Sequence, residues 1–146
     1  MQDVIQREIV ISTTKERIYE AITNPELVVL WFPTAVEGKY AVGERPIFGF
    51  GEHGKNQLYI VDARPYEYFA YRWVPGANHF IGDVLTVPNT LVEFFIEQQG
   101  DNCCRVTMTE SGFAGLPIEI AEQSLKQNSG GWEFMLGRLV EYFAEE

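Results

Sequence analysis

Cysteine is scarce in this chain, and its only two, Cys103 and Cys104, are adjacent. Neighbours in an extended segment point to opposite faces, so these two do not bridge each other. Free thiols in a reducing compartment are the expectation. Long apolar runs are absent too: no stretch approaches the roughly 20 residues of a membrane-spanning helix. The opening MQDVIQREIVISTTKE carries acids and a strand-like pattern instead of a basic region and an apolar block. No signal peptide is therefore expected, and a cytoplasmic protein is.

Basic residues are also few, 11 Lys and Arg against 21 Asp and Glu. The resulting formal charge of -10 repels phosphate backbones and anionic lipid surfaces, which sets nucleic acid and membranes aside as partners. The two histidines, His53 in GEHGKN and His79 in PGANHF, fall in turn contexts with no third ligand at metal-like spacing. The groups GFGEHG and GFAG lack the spacing of a phosphate or dinucleotide loop. Ser111, Ser124 and Ser129 lack the elbow pattern of a hydrolase. No metal, no cofactor and no nucleophilic catalysis are expected.

Aromatic residues, by contrast, make up 14% of 146 residues, enough to line an interior or a site. The length suits one domain spanning 1–146. Val4 to Ile11 reads as a strand, and Ser12, Thr13 or Thr14 supplies the cap of a helix whose first turn holds Glu16. Ile18, Ala21 and Ile22 share one face of that helix, and Asn24-Pro25-Glu26 stops it and starts a short second one.

From residue 35 onward, extended segments near 35–40, 45–50, 57–64, 67–74, 90–98 and 103–111 alternate with turn material, as in an antiparallel meander. Alternation places Phe69, Tyr71 and Trp73 on one face, with Val92, Phe94 and Ile96, then Cys104, Val106 and Met108. The opposite face carries Arg72, Glu93, Glu97, Arg105 and Thr107. The dry face needs a cover. Trp132, Met135, Leu136, Leu139, Val140 and Phe143 offer one helical stripe, with Ser129 as its cap and a separate shorter helix beginning at Pro117.

This order of elements, with the motifs IVISTTKERIYEAITNPELVVLWF, GKYAVGERPIFGF, VTMTESGF and GGWEFMLGRLVEYF, resembles the START-like (SRPBCC) superfamily. Within it, the chain resembles the activator of heat-shock-protein-90 ATPase homologue-like family. The resemblance implies an α+β helix-grip fold: two short helices after the first strand, and a curved antiparallel sheet of about seven strands wrapped around a long C-terminal helix. Across the superfamily, a cavity between sheet and helix takes small hydrophobic molecules.

The resemblance places Trp31 and Phe32 at the cavity mouth and Trp132 at the turn into the last helix. Phe48, Phe50, Tyr59, Tyr71, Trp73 and Phe94 are the sheet aromatics expected to line it, with Met108 and Met135; plain core is the alternative for each. Tyr71 and Trp73 carry polar tips that must find partners if buried. Glu110 follows the inward alternation of Val106 and Met108. Desolvation raises a carboxylate's proton affinity unless a cation or donors offset it, so Glu110 is the candidate general acid or base.

Three functions follow as expectations. The first is a binding protein for a small hydrophobic or amphipathic molecule. The second is a cyclase, dehydratase or hydrolase acting through Glu110, and it lacks a paired acid and base. The third is a chaperone partner implied by the family name, although the relatives that stimulate the chaperone ATPase carry a further N-terminal domain not seen in this sequence. A homodimer through the exposed sheet face stays open beside these.

Overall fold

The computed structural model describes residues 3–76 and 79–144. Strand β1 (Val4–Ile11) leads into helix α1 (Lys15–Thr23), whose N-cap is Thr14: its hydroxyl accepts from the Arg17 N–H at 3.3 Å. Asn24 ends α1 and caps α2 (Pro25–Val28), its side-chain oxygen accepting from the Glu26 N–H at 2.9 Å, with Pro25 in the first turn where no donor is missed.

The strands that follow form the expected meander, in two hydrogen-bonded groups. Strands β2 (Ala35–Glu37), β3 (Ile47–Gly49) and β4 (Lys55–Gln57) form a small sheet in that order. Strands β5 (Tyr59–Arg64), β6 (Tyr68–Trp73), β7 (Thr90–Gly100) and β8 (Cys103–Ser111) join β1 in the larger one, ordered β1-β8-β7-β6-β5 and antiparallel throughout. Pairing of Tyr71 with Val92, and of Val92 with Glu110, aligns the inward residues of three strands in one row. That row is buried, as are Phe69, Phe94, Ile96, Cys104, Val106 and Met108. The dry face is the one the alternation gives.

The last helix, α3 (Ile118–Ala144), is one continuous element of 27 residues. This corrects the expectation of two helices parted at Ser129. Gly130 and Gly131 each cost about 1 kcal/mol in a helix interior, less than the packing α3 gains along the sheet. The polar side chains before them are spent on tertiary partners instead of caps. The Ser129 hydroxyl accepts from the Arg7 guanidinium of β1, and Asn128 reaches the sheet. Trp132, Leu136 and Leu139 are buried against the sheet, with Met135, Val140 and Phe143 packed beside them. Among the described residues, no helix is long and apolar enough to cross a membrane.

Candidate functional site

Trp31 closes the α2 turn, and its indole N–H donates to the Ala21 carbonyl at 2.9 Å, which locks the junction between the two short helices. Phe32 therefore projects from a fixed point. Its ring packs on Trp31, Phe48, Phe50, Trp73 and Trp132 with centroid distances from 5.2 to 6.0 Å. Trp73 ends β6 and Trp132 stands on α3, 5.9 Å apart, so these rings join helix to sheet.

Above this cluster lies a pocket of about 480 Å³. Its apolar wall is Phe32, Phe50, Trp73, Trp132 and Met135. Its rim is His53, Asn56, Gly76, His79, Gln127, Asn128 and Gly131. His79 stacks on Phe50 at 6.0 Å, with the rings inclined by 30°. Asn56 spends both ends of its amide on the loop after β6: it donates to the Val74 carbonyl at 3.0 Å and accepts from the Phe80 N–H at 3.2 Å. Ala77 and Asn78 of that loop lie outside the described residues. Gly131 faces the pocket with no side chain, and a Cβ built there meets nothing within 4 Å.

Beneath the pocket sits Glu110, the one carboxylate among the described residues with no exposure at all. Its Oε1 accepts from the Trp132 indole and the Asn128 amide, both at 2.8 Å. Its Oε2 accepts from the Trp73 indole at 2.8 Å, from the Thr90 hydroxyl, and from Asn128 again at 3.1 Å. All of these donors are neutral. The two oxygens of a carboxyl group offer about four lone-pair sites, and these donors fill them, so none is directed at a guest.

Of the residues expected to line a cavity, Phe32, Phe50, Trp73, Trp132 and Met135 come together at the pocket. Trp31, Phe48, Tyr71, Phe94 and Met108 lie below it in the core. Tyr59 points the other way along β5 from buried Ile60, with the Arg45 guanidinium 5.2 Å from its ring. The rim residues Asn56, Gln127, Asn128 and Gly131 carried no binding signal in the sequence, because polar side chains on β4 and α3, far apart along the chain, and a bare glycine acquire a shared role only once the chain is folded. Both histidines are exposed, His53 at the end of a single 3-10 turn (Gly51–His53) and His79 in the loop after β6, and both reach the rim. Among the described residues, no group of three or more His, Cys, Asp or Glu could hold a metal ion.

Comparison with known proteins agrees with this architecture. The family model described as Activator of Hsp90 ATPase homolog 1-like protein matches residues 12–144. No curated protein matches the chain. Among solved structures, DynU16 of the dynemicin biosynthetic locus superposes with a TM-score of 0.77 at 21% identity over 99% of this chain, which spans only 48% of DynU16. The Aha1 dimer from Colwellia psychrerythraea gives 0.74 at 20% identity, covering 97% of this chain and 96% of that one. An HSP90 activator from Plasmodium falciparum gives 0.74 at 12% identity, covering 98% and 97%. At such identities the likeness is one of fold.

Proposed function

The chain belongs to the Activator of Hsp90 ATPase homolog 1-like family, and from that premise we propose that it binds a small, ring-bearing, largely apolar molecule in the pocket between α3 and the sheet. The observation that carries this reading is a pocket of about 480 Å³ whose wall is four aromatic rings and Met135, with the indole N–H groups of Trp73 and Trp132 turned away onto Glu110. The guest meets ring faces and edges. Each 100 Å² of apolar surface it buries contributes about 2.5 kcal/mol, and stacked or edge-on ring pairs add to that. An aromatic wall with a few polar groups at the rim is the usual composition of a small-molecule site.

Glu110 acts in this reading as the clasp under the floor and not as an acid or base, since both its oxygens are already occupied by donors. Polar Asn, Gln and His side chains at the rim leave entry open to an amphipathic guest.

A thermal-shift screen against small aromatic molecules tests the proposal, run on the native chain and on Gly131→Leu in parallel. The added side chain projects into the pocket from a position with free space around it, and leucine favours helix, so the variant keeps its fold. A ligand at a hundredfold excess over Kd stabilises by about 2.7 kcal/mol, a rise of roughly 8 °C for a chain of this size. That rise is expected in the native chain and absent in Gly131→Leu. Equal rises in both would remove the pocket from the account.

A further inference from the structure

Among the described residues, one buried side-chain nitrogen or oxygen has no hydrogen-bond partner: the hydroxyl of Tyr71. The residue is 1% exposed, in the middle of β6. Its polar neighbours are engaged elsewhere. The Trp73 indole donates to Glu110 at 2.8 Å, and the Tyr40 hydroxyl donates to the Ile22 carbonyl at 2.9 Å. A phenylalanine at this position would pack the same ring without the hydroxyl's desolvation, so the orphan group calls for a reason.

Its place supplies one. Tyr71 lies a single aromatic layer below the pocket. Phe32, on the pocket wall, packs on Trp73 at 6.0 Å and on Phe48 at 5.4 Å. Those two rings pack on Tyr71 at 5.3 and 6.0 Å. Phe32 is the ring that stands between the open pocket volume and this pair.

We infer that the occupied pocket extends inward to Tyr71: a planar guest displaces the Phe32 ring, and its leading oxygen accepts a hydrogen bond from the Tyr71 hydroxyl. This rests on the pocket reading above and narrows it to a class, the neutral aryl ketones. Burial, with Tyr40 and Glu110 nearby, raises the Tyr71 phenol well above its ordinary range, so it stays protonated and donates. The guest's leading group is therefore an acceptor. A carboxylate guest would bury its charge against rings and Met135 with no Lys or Arg on the pocket wall or rim to pair with it, which leaves a ketone or a comparable neutral oxygen.

The test uses two probes of one shape, 1-tetralone with the carbonyl and tetralin without it, titrated calorimetrically into the native chain and Tyr71→Phe. Loss of one neutral hydrogen bond should weaken 1-tetralone about three- to tenfold and leave tetralin unchanged. The ligand-free melting midpoint of Tyr71→Phe should stay level or rise, because the empty protein loses no hydrogen bond. If both probes bind and the substitution treats them alike, the inference falls while the pocket reading stands. A midpoint lower by several degrees would also overturn it, since the hydroxyl would then have a partner in the empty protein. If neither probe binds the native chain, the pocket reading fails and the inference with it.

Discussion

Glu110 draws hydrogen bonds from β6, from the first residue of β7 and from two successive turns of α3, so one side chain on β8 fixes the helix against three strands. Such a group is costly to bury and more costly to disturb, because removing the acceptor strands several donors away from water. Glu110→Gln keeps the shape but turns an amide N–H₂ toward Trp or Asn donors. It should destabilise the chain by about 3 kcal/mol, roughly 9 °C in midpoint, and weaken the near-ultraviolet circular dichroism of Trp73 and Trp132. A urea titration that finds less than about 0.5 kcal/mol would mean that the donors find other partners. The inward direction of Glu110 was legible from the alternation of Val106 and Met108. Its partners were not, since Thr90 and Asn128 lie 20 residues before and 18 after it and meet only through the fold.

At the scale of elements, the strands were legible because a sheet with one dry face writes a period of two into its sequence. That period gives a face and not a depth. Tyr71, Phe94 and Met108 carry the same signal as Trp73, yet they form the layer beneath the wall it belongs to. The continuity of α3 was obscured by Ser129-Gly130-Gly131, a sequence that reads as a cap and a break until Arg7 is seen to hold Ser129 from β1. The two glycines then separate by role. Gly130 does not line the pocket, and a Cβ there meets nothing within 4 Å. Gly130→Ala should stabilise the chain by about 1 kcal/mol, some 3 °C, with ligand affinity unchanged, as paired melting and titration experiments would read. A lower midpoint would show that α3 needs a flexible joint at this point.

Taken as a whole, the molecule separates its charge from its pocket. The net charge of -10 and the ion pairs such as Arg105 with Glu8 and Glu97 belong to the outer surface. The pocket wall and rim hold no Asp, Glu, Lys or Arg, and the buried Glu110 is screened from a guest by its own donors. The helix-grip architecture shared with DynU16, the Colwellia psychrerythraea Aha1 dimer and the Plasmodium falciparum HSP90 activator thus carries here a ring-lined recess beside α3.

The most direct test of that recess is a two-dimensional ¹H–¹⁵N correlation spectrum of the native chain titrated with 1-tetralone. The indole N–H signals of Trp73 and Trp132 and the amides of Gly76, Asn128 and Gly131 should shift together and saturate, while Glu97 and Arg105 on the outer face stay still. Shifts confined to the outer face, or none at concentrations where the ketone remains soluble, would contradict a binding pocket between α3 and the sheet.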